Sequence, residues 1–548
     1  MDLIIHNARI WTGDAARPWA TAVAVKDGVT AAVGGEELLE LATPATRVIG
    51  RGGLPLLPGL GDSHLHLGEV GRGMEVADLS GASSVEELGA VLRAFIQERR
   101  LPPGQLVLGW GWNQDRFPGK KMPTLAQLDG MAPGYPILIT RVCQHIAAAN
   151  SAALAMAGIT RDTPDPPGGA IGRDGQGEPD GILRENGMQL LSRAAAITPD
   201  DAQRWLAMAA EKAASLGLTM AHSEDLCSFP GLGWRQVLDA WLRLDAAGRL
   251  PIRVVQQCQF LTVEELEEFF AAGYHPGWRQ GKVSIGPLKI VSDGSLGART
   301  ALLSRPYADD PAAGTGMAVL PWERVEDLVA AAHRRGMGAV IHAIGDGALD
   351  RCLDAIQRAR ESCPEKAPRH GIVHCQITRP DQLERIRRLG VQVLAQPVFL
   401  EYDLHMAEAR VGPELAESCY AWRTMVEGGI PFSAGSDSPI ESMDPFGNLY
   451  CAVTRQDYQG RPAGGWHPGE RLTLDQALTA ATAGVAWAAG QEGETGRIAP
   501  GFFADYTAPD RDIFSIPPRE LLEVRACFTV LEGRVIQPRE GEHPWTRH

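Results

Sequence analysis

Short runs of alternating or β-branched residues open the chain: Leu3-Ile4-Ile5, Thr21-Ala22-Val23-Ala24-Val25 and Thr46-Arg47-Val48-Ile49, with Asp27-Gly28 and Gly34-Gly35 between them. These are strand and hairpin signals. The same texture returns from about Gly496, where Phe503-Ala504-Asp505-Tyr506 and Cys527-Phe528-Thr529-Val530-Leu531 lead into Glu532-Gly533. Neither end carries enough strands for a stable sheet alone, so the two are expected to pair into one small β-domain spanning residues 1–57 and 490–548.

Between the ends, strand and helix patterns alternate. Val325, Leu328, Val329 and Ala332 fall at i, i+3, i+4 and i+7, an amphipathic helix ending near Gly336, and Met337 to Ile344 follows as a buried strand. The unit recurs: core strands are expected to end near His66, His222, Cys258, Lys289, His342, His374, Ala395 and Ala434. Eight such repeats favour an α/β fold with a closed (β/α)8 barrel over residues 58–489 rather than an open sheet. The longest interval, about 72–199, holds strand-like runs from Leu106 to Trp110 and Ile137 to Val142. It also has helical stretches near Val85 to Arg99 and Asn186 to Ala195, and a turn-rich segment from Thr163 to Gly181. It reads as an insertion over the barrel mouth.

Composition narrows the setting. The 548 residues carry 52 Lys+Arg against 67 Asp+Glu, a net charge of −15, and no basic stripe that would favour nucleic acid or an anionic membrane. A small-molecule substrate is the expected partner, and a homodimer stays open. Met1 to His6 lacks a basic n-region, so a secretory signal is not expected, nor is there an apolar run of the about 18 residues a membrane span needs. Nine cysteines, odd in number and without a CxxC pair, suit free thiols in a reducing, cytoplasmic setting.

Candidate chemistry begins at His64-Leu65-His66, preceded by Pro58-Gly59-Leu60-Gly61-Asp62-Ser63. Side chains at i and i+2 of a strand share a face, so both imidazoles can reach one metal ion. His342 and His374 end the fifth and sixth strands, and Asp437 follows the eighth in Ser433-Ala434-Gly435-Ser436-Asp437. A barrel gathers the C-terminal ends of its strands at one face, so four histidines and one aspartate are expected to converge on a metal site. Lys289 ends the fourth strand. An ammonium beside metal ions is costly, so Lys289 is expected to be neutral and to take up carbon dioxide as a carbamate bridging two ions. The other reading pairs it with Asp293 or with a substrate carboxylate.

These motifs resemble the amidohydrolase superfamily, and within it the YtcJ-like branch, or amidohydrolase 3 family, that includes N-substituted formamide deformylases. The resemblance rests on Pro58 to His66, Asn150-Ser151-Ala152-Ala153-Leu154, Lys289 with Asp293-Gly294-Ser295-Leu296-Gly297-Ala298-Arg299-Thr300-Ala301, His342-Ala343-Ile344-Gly345-Asp346, His374-Cys375-Gln376, Gly435-Ser436-Asp437-Ser438-Pro439 and Gly496 to Asp505. It implies a TIM-like (β/α)8 barrel with zinc or a similar divalent ion, and a composite β-sandwich formed by the N- and C-terminal segments. Val373 departs from the family, where an acidic residue often precedes the sixth-strand histidine.

Imidazole and carboxylate donors suit zinc, with manganese, cobalt and iron as other options. The expected mechanism assigns His64 and His66 to one ion, His342 and His374 to the other, Lys289 as carbamate to both, and Asp437 to ligation and general base. Metal-activated hydroxide would then hydrolyse the C–N bond of an amide, formamide or cyclic amide. The alternative is a deaminase of a nucleobase-like heterocycle, which needs one ion and no bridging lysine. Substrate contacts are expected from His145, Arg299, Trp112 and Asp293, with two other roles open: Trp110 and Trp112 packing the insertion, and Arg299 pairing with Asp293. His222 and Glu224 are read as structural.

Overall fold

The computed structural model describes residues 1–143, 145–193 and 197–537. The segment from 538 onward, with His543 and His548, and residues 194 and 195 of the expected helical stretch lie outside the described residues. By compactness the chain divides into two units, one made of residues 1–70, 206–229 and 233 onward, the other of 71–205 and 230–232.

The first unit contains eight consecutive parallel strands: Leu60–Leu65, Leu218–Ser223, Arg253–Gln259, Val283–Val291, Ala339–Ala343, Gly371–His374, Gln392–Ala395 and Phe432–Ala434. Each pairs in parallel with the next, and their ends fall at or close to the positions read from the sequence. Parallel strands covered on both faces read as near-continuous apolar runs, which is why the pattern was legible. The helix expected before the fifth strand spans Trp322–Arg334 and buries Val325, Leu328, Val329 and Ala332 on one face.

The first and eighth strands meet without a regular ladder. Instead, the Asp437 amide donates to the His64 carbonyl at 2.8 Å and the His66 amide to the Ser438 carbonyl at 2.8 Å. Asp62 accepts from the Ser436 amide at 3.1 Å and from its hydroxyl at 2.6 Å. The backbones approach so closely that a Cβ on Gly435 would lie 2.7 Å from the His64 nitrogen. Only glycine fits there. The result is a near-closed, TIM-like barrel.

Strands from both termini pair in one six-stranded sheet, in which Tyr506 sits opposite Pro58 and Thr507 opposite Leu57. A four-stranded sheet of N-terminal strands shares its apolar cluster, which includes Leu3, Ile5, Val23, Leu56, Tyr506 and Phe528. The hairpin turns Asp27-Gly28 and Glu532-Gly533 have positive φ at both central residues, as two-residue turns between twisted strands require.

The second unit is built on a six-stranded sheet. The helix Val85–Arg99 has the expected bounds, with Ser84 capping the Glu87 amide. The turn-rich segment differs from expectation. Gly169–Arg173 and Pro179–Glu185 form an antiparallel hairpin, and Asn186–Arg193 is a 3-10 helix. Strands this short, rich in Gly, Pro and Asp, carry too little periodicity to register; cross-strand pairing defines them instead. No helix among the described residues is long and apolar enough to cross a membrane.

At the N-terminal end of the fifth and sixth strands, His333 and His370 stack in a buried pair with ring centroids 5.2 Å apart. One tautomeric arrangement satisfies every contact: the Ala339 amide donates to His370 Nδ1, His370 Nε2 donates to His333 Nδ1, and His333 Nε2 donates to the Cys363 carbonyl. Both rings are neutral in it, and burial together with the neighbouring His333 and Arg360 lowers the His370 pKa to about 3. A histidine held below its unfolded value of about 6.5 stabilises the fold above that pH and loses this contribution as pH falls towards 3. Acidification from pH 7.5 to 5 should therefore cost wild type about 2 kcal/mol more than His370→Gln, read from urea midpoints at both pH values; equal losses would dismiss the pair as the cause.

Candidate metal centre

His64 and His66 leave the first strand on one face, and Asp437 reaches them across the barrel seam. His64 is almost fully buried, and its Nδ1 lies 2.6 Å from Gln257 Oε1. Gln257 donates its own amide to the Ser63 carbonyl at 2.9 Å, so its oxygen accepts and His64 Nδ1 carries the proton. The Nε2 lone pair of His64 then faces Asp437 Oδ1 at 3.2 Å, and His66 Nε2 lies 3.0 Å from the same oxygen. The His64 lone pair facing a carboxylate oxygen is repulsive, and a positive charge between the imidazoles and Asp437 relieves it.

The local pKa values reflect this arrangement. Burial and the Lys289 charge lower His64. Burial acts in the same direction on His66, but Asp437 and Glu224 outweigh it and push the ring up to about 9, so that a proton supplies the charge. Burial alone would raise Asp437, yet contact with His64 and His66 holds it well below the usual carboxylate range. The donor atoms of His64, His66 and Asp437 lie within 4.8 Å of one another. Two imidazoles and a carboxylate are a donor set that fits zinc or a similar divalent ion.

His374 borders this group. Its Nε2 is 4.0 Å from Asp437 Oδ2, its Nδ1 has no hydrogen-bond partner among the described residues, and its ring packs against His342 at 4.4 Å and Phe399 at 5.5 Å. Burial and His342 lower its pKa well below the ordinary value. His374, Cys375 and Asp437 all have positive φ, at 74°, 52° and 58°. A non-glycine residue held there costs about 1–3 kcal/mol and persists where surrounding structure over-determines it. Both barrel-end loops are bent to aim their side chains inward.

His342 is oriented from behind. Its Nδ1 sits 2.9 Å from Asp293 Oδ1, and Asp293 also accepts from the amides of Leu302, Ile344 and Gly345. Asp293 is thus an anchor beneath a histidine, a position that leaves little of it for a substrate. Arg299 pairs with Asp309 at 2.9 Å, not with Asp293, because Asp293 is already saturated. Lys289 donates to Glu224 Oε2 at 2.7 Å, with both side chains buried, rather than pairing with Asp293. Burial favours the neutral Glu224, but Lys289, His66 and His64 hold its pKa below the ordinary value. Glu224 also lies 3.9 Å from His66 Nδ1, so it belongs to the site and not to the background. The signal was present: Glu224 directly follows the second barrel strand, at the end where side chains face the mouth.

His145 and Trp112 lie in the second unit. Trp112 is fully buried, stacks on Phe117 and donates to the Ile139 carbonyl, which matches the packing role. Trp110 is exposed. His145 is exposed and pairs with Glu185 at 2.9 Å.

Comparison with known proteins identifies the family. Residues 47–537 match the model of the Amidohydrolase family. The YtcJ protein of Bacillus subtilis (strain 168) is 34% identical over 98% of this chain and 99% of its own length. The chain belongs to the amidohydrolase family. The N-substituted formamide deformylase of Arthrobacter pascens is 29% identical to it over 98% of this chain and 99% of that one. The crystal structure of an uncharacterized metal-dependent hydrolase from Pyrococcus horikoshii OT3 superposes with a TM-score of 0.75 at 28% identity, covering 94% of this chain and 99% of the other. This amidohydrolase is an enzyme of hydrolytic, metal-dependent chemistry on C–N or related bonds.

Removing one partner of a buried ion pair strands the other charge. Glu224→Gln should destabilise the metal-free amidohydrolase by about 3 kcal/mol, and adding Lys289→Met should recover much of that loss. Chemical unfolding of the single and double variants reads both; additive losses would show that the pair is not coupled.

Proposed function

We propose that this amidohydrolase hydrolyses the C–N bond of a non-peptide amide, an N-substituted formamide or a cyclic amide, using a zinc-class ion held by His64, His66 and Asp437. The observation that carries the reading is the convergence of two imidazole nitrogens on one carboxylate oxygen at 3.2 and 3.0 Å. When bound, such an ion polarises a carbonyl and lowers the pKa of water towards about 7. The chain's own residues then handle geometry and protons. Asp437 presents Oδ1 to the two histidines and keeps Oδ2 on the side of His374, so Oδ2 takes the proton of the attacking water and returns it to the leaving nitrogen. Asp293 fixes the His342 ring through Nδ1, leaving Nε2 for a ligand or a substrate oxygen. The deformylase relative supports a formamide as the first substrate to try.

Lys289 divides two versions of this site. As a carbamate it would add an oxygen ligand that, with His342 and His374, could hold a second ion; as an ammonium it neutralises Glu224. Its 2.7 Å contact with Glu224 supports the ammonium and a single ion, and for the same reason lends weight to the second reading, a deaminase of a nucleobase-like heterocycle. We take the two terminal sheets, with their shared apolar cluster, as a composite β-sandwich of residues 1–57 and 490–548 beside a barrel of 58–489. The free cysteines support a reducing, cytoplasmic setting.

Chelation should abolish turnover of N-substituted formamides, N-acyl amino acids or cyclic imides, and zinc should restore it. Metal counting separates the versions of the site: one ion per chain without bicarbonate dependence indicates the ammonium, two ions with bicarbonate activation the carbamate. Asp437→Asn should lower kcat by at least about 100-fold while largely sparing metal content. Full activity in that variant would remove Asp437 from the proton path, and ammonia release from a heterocycle with no amide turnover would favour the deaminase.

A further inference from the structure

Beside the metal centre, the loops after the sixth, seventh and eighth strands bring acceptors together without a matching cation. Phe399 packs on His374. The helix that follows it, Leu400–Asp403, carries Glu401 and Asp403. Glu441 lies four residues beyond Asp437 on the loop after the eighth strand. Among the described residues none of these three carboxylates has an ion-pair partner. On these loops His405 and Arg461 are both engaged by Asp457, at 3.0 and 2.8 Å, Arg410 pairs with Asp309, and Arg455 donates to the Tyr420 and Trp466 carbonyls.

A second observation points to a ligand. Gln376, two residues after His374, is buried and donates its amide to Asp403 at 2.5 Å and to the Tyr420 hydroxyl at 2.7 Å, while that hydroxyl donates to Asp403 at 2.7 Å. Gln376 Oε1 is left without a hydrogen-bond partner among the described residues, and so is Oε1 of the buried Gln396, on the adjacent strand end. Buried amide oxygens are ordinarily satisfied. The orphaned Gln376 oxygen, on the side chain that holds Asp403, together with Glu401 and Glu441, which have no ion-pair partner among the described residues, describes a place for a group rich in N–H donors and positive charge. Burial pushes Asp403 up to about 6. Burial with the fields of Glu401 and Asp403 pushes Glu441 up to about 7. Like charges gathered in this way are unfavourable until a cation arrives.

We propose that this wall is a cation-recognising subsite, and that the substrate carries a protonated amine which Glu401 and Glu441 bind together with the carbonyl of Gln376. The inference rests on the hydrolytic reading of the metal centre and names the substrate class within it: amides or formamides whose amine part bears a second, charged amine. Asp403, tied to Gln376 and Tyr420, is a positioning residue that holds the Gln376 amide in place.

The test compares an aminobutyl formamide with its hydroxybutyl isostere on the zinc-loaded full-length enzyme. The charged substrate should have the higher kcat/KM by about tenfold, expressed in KM, and the ratio should fall towards one in the Glu401→Gln/Glu441→Gln double variant. Equal efficiency for both substrates would overturn the subsite and leave the hydrolase reading intact. Should neither substrate turn over, nor any N-acyl amino acid or cyclic imide, the hydrolase reading is what fails; whenever the formamides are not turned over, the subsite is read by calorimetry with diaminobutane against aminobutanol. Salt-sensitive tighter binding of the diamine that is lost in the double variant supports it, and equal binding overturns it. Displacement of the diamine by low concentrations of magnesium would overturn it in favour of a divalent-ion site.

Discussion

Everything at the metal centre depends on the seam where the first barrel strand meets the eighth. Asp437 reaches His64 and His66 only because its own amide is held by the His64 carbonyl and because Gly435 lets the two backbones touch. Asp62 reinforces the seam from inside, accepting from Ser436 twice and from the His64 amide at 3.0 Å. Burial raises its pKa to about 7, so the closure itself contains a carboxyl kept from water. A barrel left open at this seam would separate Asp437 from the histidines it faces.

The second constraint is electrostatic. Lys289, Glu224, His64, His374 and Asp437 are all nearly inaccessible to solvent, an arrangement that burial alone would penalise heavily. It persists because each charge has a counter-charge: Glu224 for Lys289, and His66 for Asp437 as long as no ion is present. The left-handed conformations at His374, Cys375 and Asp437 add strain in the same few residues. Strain and buried charge concentrate where the chemistry is, and the rest of the barrel, built of apolar strands, carries the stability that tolerates them.

The barrel strands were legible because they are buried on both faces and most carry short apolar runs at or near whose ends polar residues such as His66, Lys289, His342 and His374 fall. The helix of Trp322–Arg334 was legible because a single buried stripe sets its period. The hairpin of Gly169–Arg173 with Pro179–Glu185 was not, since its strands exist by virtue of pairing and leave no periodic trace. At the candidate site, HxH spacing and strand-end position singled out His64, His66, His342, His374 and Asp437, which the structure brings close together. The partner of Lys289 was missed for a physical reason: Glu224 lies two strands away in the sheet, and no local spacing connects residues 224 and 289.

The sequence by itself determined the fold class, the family and the residues capable of holding a metal, because strand period, strand order and donor type are local properties of the chain. The tertiary structure alone decided which donors come within reach of one another, that Lys289 faces Glu224, that Asp293 serves His342 and Arg299 serves Asp309, and that Trp112 is a core residue. Those outcomes depend on distances across the barrel and on where buried charge finds its opposite. Both are set only when the seam closes and the strand ends are brought to one face.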